Sequence, residues 1–203
     1  VIHAGAKSEL TAVAEKLQAM VTTSWAGRGA MSEENPLMMP MVHIEANNNV
    51  RNDADVVLIL GSRLGETDWW GKAPYWNANQ TVIQVDLEPS ILGANKPAEL
   101  LIQADIKAFL QDLLLALDNE FEQPVDTKRQ QLIEKHLETK KQHRKKLNEH
   151  IADKNSPLNP AQIPYLANKI FPKNTPLVID GGNTAIWTNF YYEVNDEMPL
   201  LST

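Results

Sequence analysis

Two short hydrophobic runs set the plan of the chain. Asp55-Val56-Val57-Leu58-Ile59-Leu60-Gly61-Ser62-Arg63 and Thr81-Val82-Ile83-Gln84-Val85-Asp86 are rich in β-branched residues and lack regular polar alternation. A strand with one wet face alternates, whereas a strand covered on both faces reads as a nearly unbroken apolar run. Both runs therefore predict strands of a parallel sheet with helices above and below. Each ends on a residue suited to meeting a ligand: Gly61, where the backbone can turn or be approached closely, and Asp86, an anionic acceptor. Ligands collect at the carboxyl ends of strands in open α/β sheets. Residues 55–86 thus predict the core of a nucleotide-type α/β domain.

The remaining pattern extends this plan in both directions. Residues 1–4 read as the stub of a first strand, turned by Gly5-Ala6. Leu10, Val13, Ala14, Leu17 and Met20 recur at helical spacing behind Ser8 as N-cap and Glu9 in the first turn, predicting an amphipathic helix over residues 8–20. A second short strand is expected at 21–24, then a glycine-punctuated loop (Trp25-Ala26-Gly27-Arg28-Gly29-Ala30), a turn at Glu33-Glu34-Asn35-Pro36, and a helix closing the interval 37–52. Beyond the aromatic insert that holds Trp69, Trp70, Tyr75 and Trp76, Leu100-Leu101-Ile102-Gln103-Ala104 reads as a further strand. Asp105 caps a helix to about residue 117, with Ile106, Phe109, Leu110, Leu113 and Leu114 as its core stripe.

The fold class expected is α/β, with a Rossmann-like doubly wound parallel sheet over residues 1–118. A mostly helical connector follows over 119–155: residues 127–154 hold nine Lys/Arg against four Asp/Glu, the mark of a solvated helix. A partial second α/β unit is expected over 156–203. It has a helix at 161–171, a strand at 177–180, the turn Gly181-Gly182-Asn183-Thr184 and an aromatic helix at 185–192. Both ends of the sequence read as cut, so a longer polypeptide is expected.

Composition mostly excludes. No cysteine is present, which removes disulfides, thiolate catalysis and cysteine-bound metal. A net charge of −7 argues against a general nucleic-acid partner. No apolar run approaches the ~20 residues of a bilayer span, and no charged-then-apolar leader opens the chain. No membrane partner and a cytoplasmic location are therefore expected. His136, His143 and His150 recur every seventh residue. At ~1.5 Å rise per residue, successive ones lie about 10 Å apart, too far to share an ion, and the expectation is a solvated face. The Lys-rich stretch 140–146 belongs to an acidic chain, which argues against a polyanion site. The aromatic cluster of the insert is better read as packing against a neighbouring domain or subunit than as a substrate channel. Arg63 is either a phosphate ligand or the ion-pair partner of Glu66 or Asp68.

At this point four segments add up to a family resemblance. Val21-Thr22-Thr23-Ser24-Trp25-Ala26-Gly27-Arg28-Gly29-Ala30, followed by Glu33-Glu34-Asn35-Pro36-Leu37, resembles the "TT…GKGAxxEDHPL" segment of thiamine-diphosphate enzymes of the acetolactate synthase and pyruvate oxidase type. Ala54-Asp55-Val56-Val57-Leu58-Ile59-Leu60-Gly61-Ser62-Arg63-Leu64 resembles their "ADLLLxxGxRF", Val85-Asp86-Leu87-Glu88-Pro89 their "IDxDP", and Asp180-Gly181-Gly182-Asn183 their "DxGQ". The order matches over almost the whole chain.

The resemblance implies a central domain, a connector and the start of a diphosphate-binding domain. The implied activity is that of a 2-oxoacid decarboxylase and carboligase, with small-molecule 2-oxoacid substrates, thiamine diphosphate and Mg2+ in the intact enzyme, and a homodimer or tetramer. Gly181, Gly182, Asn183 and Thr184 are implied on the thiamine diphosphate side. Gly5, Ala6, Gly61, Ser62, Arg63, Asp86, Leu87 and Asp105 match positions that contact FAD or an ADP-type nucleotide in flavin-binding relatives. The family's cofactor-activating glutamate and its "GDG…N" metal motif fall outside these residues, so the chain alone is expected to be inactive, with no catalytic or metal residue of its own. Two departures count against FAD: Met39-Pro40-Met41-Val42-His43-Ile44-Glu45 stands where "GMxGxxG" is usual, and Gly65-Glu66-Thr67 where Asp-Asp-Arg is usual. An oxalyl-CoA decarboxylase-like lyase and a pyruvate oxidase remain as alternatives within the family. A non-catalytic nucleotide-binding module and a deacetylase-type, NAD-using domain lie outside it.

Overall fold

A computed structural model describes residues 1–120, 126–152, 158–195 and 197–202. Three parallel strands, β1 (Val56–Leu60), β2 (Thr81–Asp86) and β3 (Leu100–Gln103), form one sheet in the order β1-β2-β3. Val57 pairs with Val82, Leu60 with Val85, and Val85 in turn with Ile102. The central strand β2 is covered on both faces, as its unbroken run predicts, whereas Val56 of β1 and Leu100 and Leu101 of β3 are exposed. On one face Val85 meets Leu10, Val13 and Ala14 of α1 (Lys7–Leu17) together with Ile106 and Leu110 of α3 (Ile106–Glu120). On the other, Ile59 and Val82 pack under Leu64 and Trp76.

That second cover is not a long helix. The β1–β2 connection carries only a 3-10 segment, Glu66–Gly71, because Gly61, Gly65, Gly71, Pro74 and two asparagines break any helical run. Trp76 fills the resulting space, donating its indole N–H to the Asp68 carbonyl at 2.8 Å. Trp69 stacks on Tyr75 at 3.9 Å between ring centres, and both Trp69 and Trp70 are exposed. The insert therefore splits, with Trp76 in the core, Tyr75 half-buried against it, and Trp69 and Trp70 outside.

Two expected strands are different structures. Residues 1–4 form a turn closed by bonds from Gly5 N to Ile2 O (3.0 Å) and Ala6 N to Val1 O (3.1 Å). These local bonds take the polar groups that a ladder would need. The strand expected at 21–24 contracts to one parallel bridge, Val21 to Met38. Helix α2 (Ile44–Asp53) follows, packing Ala46 and Val50 on Met39.

Beyond α3, α4 (Thr127–Ile151) is one helix capped by Asp126, whose side chain accepts from Arg129 N. Its histidine stripe is only partly solvated, since His150 is exposed while His136 and His143 are not. His136 is 2% exposed with Nε2 3.2 Å from Asp53 Oδ2. The His143 ring meets His43 edge-on at 5.0 Å, and His150 Nδ1 lies 3.3 Å from the Tyr191 hydroxyl. A seven-residue repeat keeps these rings on one side of the helix, which is enclosed at His136, half-buried at His143 and exposed at His150. The second unit consists of α5 (Gln162–Ile170), β4 (Leu177–Ile179), α6 (Gly182–Tyr191) and β5 (Leu200–Ser202). The strands β4 and β5 pair in parallel, making a β-α-β unit. No helix among the described residues is long and apolar enough to cross a membrane.

Candidate functional site

The strand ends of the first sheet converge on one rim. Gly61 leaves β1 with φ of +61°, a backbone state that suits glycine, and its N–H is held by the Val85 carbonyl at 2.9 Å. A Cβ at position 61 would lie 3.7 Å from Ile106 and 3.9 Å from the Val1 nitrogen, which is ordinary contact. The demand for glycine here therefore comes from conformation rather than space. Ala104 N donates to the Asp86 carbonyl (3.1 Å), and the Val1 amino group feels the charges of both Asp105 and Asp86. Gly5-Ala6, Gly61, Asp86 and Asp105 are thus neighbours.

The carboxylates on this rim already have local duties. Asp86 Oδ1 accepts from Glu88 N at 3.0 Å, and Asp105 Oδ1 accepts from Lys107 N and Ala108 N at 2.9 and 3.0 Å, capping α3. Leu87 is exposed and Ser62 half-buried, with its hydroxyl accepting from Leu64 N. Arg63 is exposed, and Asp68 turns away from it to the Arg51 guanidinium at 3.6 Å. Burial raises the Asp68 carboxyl above its ordinary value, against the pull of Arg51. Gln84 went unnoticed as a site residue. It is buried within β2, donates to the Ser62 carbonyl (3.0 Å) and accepts from Gly93 N (2.7 Å), so it fixes the rim turn from beneath. The only signal was one amide in an apolar run.

The second candidate, Gly181-Gly182-Asn183-Thr184, follows β4 as the N-cap and first turn of α6, which begins three residues earlier than the helix expected at 185, and is exposed throughout. Gly182 has φ of +75°, and a Cβ at 181 or 182 would meet nothing within 4 Å. Gly181, the N-cap, supplies no side-chain cap, while its own N–H goes to Asp180 Oδ1 at 2.8 Å. The first-turn N–H groups of an α-helix have no intrahelical acceptor, so this end offers donors and a positive dipole to an anion. Thr184 also borders a cavity of about 390 Å³ whose other walls include Pro164, Phe171, Leu177 and Trp187. The donor set and the open space fit a diphosphate.

A buried clamp joins the two units. The Arg28 guanidinium, 2% exposed, donates to Glu33 twice, at 2.7 and 3.1 Å. It also donates to Asn189 Oδ1 on α6 (2.7 Å) and to the Tyr192 carbonyl (2.9 Å). Glu33 Oε2 accepts from Val194 N at 2.9 Å, and Glu33 N donates to the Val194 carbonyl at 2.9 Å. The glycine-punctuated loop of the first unit thereby grips the helix that carries the second turn. Among the described residues no group of three His, Asp or Glu could hold a metal ion.

A three-stranded parallel sheet with its strand-end turns on one rim, joined through α4 to a second β-α-β unit, defines an α/β protein. The family model for the thiamine pyrophosphate enzyme central domain matches residues 1–113, and the chain belongs to that family. It is 33% identical over 120 residues to a probable acetolactate synthase large subunit of Methanocaldococcus jannaschii, covering 58% of this chain and 20% of that protein. It is 34% identical over 128 residues to a sulfoacetaldehyde acetyltransferase of Rhodobacter capsulatus (58% and 21%). With the acetolactate synthase isozyme 1 large subunit of Escherichia coli the identity is 30% over 112 residues (54% and 20%). The chain spans about a fifth of the length of the curated relatives it matches.

Proposed function

We propose that this chain supplies the central domain, the connector and the opening of the cofactor domain of a thiamine-diphosphate enzyme, with bounds 1–118, 119–155 and 156–203. The intact protein decarboxylates pyruvate or a related 2-oxoacid and joins the product to a second one, as an acetolactate synthase does. The observation that carries this reading is the family match over residues 1–113, together with relatives named acetolactate synthase large subunit. When bound, thiamine diphosphate with Mg2+ supplies the nucleophilic carbon and the electron sink for loss of carbon dioxide.

The chain's own residues bind and orient. The N–H groups of Gly182, Asn183 and Thr184 hold the diphosphate at the start of α6, and Arg28 fixes that helix through Asn189 two turns further on. The rim formed by Gly5, Ala6, Gly61, Ser62, Arg63, Asp86, Leu87 and Asp105 takes an ADP-type nucleotide, each aspartate keeping one carboxylate oxygen outside its local turn. A complete FAD fits less well. Residues 39–43, where flavin-binding relatives carry glycines, are buried side chains packed into the interior. The exposed apolar side chains of the second unit, among them Ile163, Ile170, Phe171 and Val178, favour further protein contacts, consistent with a homodimer or tetramer.

The sulfoacetaldehyde acetyltransferase relative keeps a second transferase chemistry open. The test that separates the readings is carbon dioxide release from pyruvate by the intact protein. Release that requires both thiamine diphosphate and Mg2+ is expected, with a larger product formed from two oxoacids. Release without either addition would retire the proposal.

A further inference from the structure

The two ends of helix α2 are held very differently. At its C-terminal end Arg51 faces Asp68 at 3.6 Å, and Asn52 donates to the Pro74 carbonyl at 3.1 Å. Asp53 holds Lys135 and His136 of α4 at 3.0 and 3.2 Å, and the Gln80 amide donates to the carbonyls of Arg51 and Ala54. The first turn has far less to hold it. It buries His43, Ala46 and Asn47, while Ile44 and Glu45 are exposed, so little apolar surface is lost to water when it unwinds.

His43 stands at the loose end. It is the N-cap of α2 and 4% exposed, yet its side chain caps nothing. Its ring meets the His143 ring of α4 edge-on at 5.0 Å, and it forms no ion pair among the described residues. Arg144 and Lys140 of α4, and Arg28 of the glycine-punctuated loop, act on it as cations. The acids beside those cations are already engaged: Glu33 pairs with Arg28 at 2.7 Å, Glu193 with Arg144 at 3.0 Å, and both act on Lys140. A proton on His43 would therefore meet enclosure, neighbouring cations and the positive end of the helix it caps, and each disfavours a charged imidazole. Unwinding the first turn relieves all three together.

We propose that α2 is an acid-operated latch: protonation of His43 unwinds residues 43–48 from α4 while the C-terminal end of α2 stays fastened. Opening takes up one proton, so the open form gains as pH falls, and it remains a minor population of the folded protein. It separates His43 from His143 and lays open Asn47 and the Met39 carbonyl that Asn47 caps at 3.2 Å. The seam between the first unit and its connector helix is thereby loosened without disturbing the sheet. The latch does not depend on the thiamine-enzyme reading, because it uses neither the rim nor the α6 turn.

Hydrogen exchange of the full chain, followed by mass spectrometry from pH 7.5 to pH 5.0 and corrected for the intrinsic pH dependence of exchange, tests it. Amides of residues 44–48 should be less protected than those of β2 at every pH. Their protection should fall about thirtyfold over that range, as the ring passes from about 3 when closed to its ordinary 6.5 when open. About 1 M urea should change it little, since a local opening exposes little surface. His43→Gln should flatten the pH dependence, and His150→Gln, at an exposed position of α4, should leave it as in the parent. Equal protection in residues 44–48 and in β2 would overturn the proposal, because exchange would then need global unfolding. So would protection that does not change with pH, or a folded His43→Gln variant that keeps the parent's pH dependence. The first two results are read on the parent alone and decide the matter even where the variant does not fold.

Discussion

Arg28→Ala is expected to destabilise the protein by about 3–5 kcal/mol in urea unfolding, the range for breaking one side of a buried ion pair. Arg28 and Glu33 are both almost fully enclosed, at 2% and 1% exposure. Removing the guanidinium leaves a buried carboxylate without its hydrogen-bonded cation, with Lys140 as a remaining nearby charge, and strips donors from Asn189 Oδ1 and the Tyr192 carbonyl. Each abandoned acceptor carries its own desolvation cost. Most of the loss should come from the stranded charge rather than from the attraction itself. The double change Arg28→Met/Glu33→Leu should therefore recover a large part of it, leaving the cost of the Val194 N–H that Glu33 satisfied. A loss below about 1 kcal/mol for Arg28→Ala would mean that water or another group reaches Glu33, contrary to the enclosed geometry.

The second large effect is acid sensitivity from His43. Its imidazole is pushed down to about 3, first by burial and then by the charges of His143, Arg144, Lys140 and Arg28. In the unfolded chain the same ring titrates near its ordinary value of 6.5. Between those limits the unfolded state binds the extra proton, so stability falls as pH drops from about 6.5 toward about 3. Near pH 5 and below, the slope from this ring alone approaches about 1.4 kcal/mol per pH unit. Burial lowers His136 too, against the opposing pull of Asp53, and so adds in the same direction, whereas the raised Asp68 carboxyl opposes it. Urea midpoints measured from pH 7 to pH 4.5 on the parent and on His43→Gln should differ in slope by about one proton. Parallel lines would show that His43 charges freely in the folded protein.

What local pattern could reveal divides sharply by the range of the partner. The strand at residues 81–86 was legible because burial on both faces writes itself into consecutive residues, and those at 56–60 and 100–103 from their apolar runs, although Val56, Leu100 and Leu101 are exposed. Helix α3 was legible from Asp105 and its apolar stripe. The rim followed, since strand ends in a parallel sheet must lie together. The turn into α6 was placed between a strand and a helix for the same reason. Arg28 was read only as part of a loop motif, because the acceptor that explains its burial, Asn189, is 161 positions away. The histidine repeat was visible, but the solvated face expected of it holds at His150 and fails at His136 and His143: a seven-residue spacing marks one side of a helix and does not say whether that side meets water or protein. Residues 1–4 and 21–24 have strand composition, yet turn bonds and a single bridge take their polar groups. Strand β5 went unrecognised because three residues carry too little pattern to see.

Gly182 is proposed to open a diphosphate site at the head of α6. Calorimetric binding of thiamine diphosphate with Mg2+ to the intact protein, compared with Gly182→Val, tests this most directly. A β-branched residue at φ of +75° costs about 1–2 kcal/mol or more and forces the turn to rearrange, while the open surroundings leave the core alone. Affinity lower by about tenfold or more, with the unfolding free energy reduced by no more than that backbone cost and the protein still folded, is the expected result. Equal affinity in the variant would contradict the account and move the cofactor away from this turn.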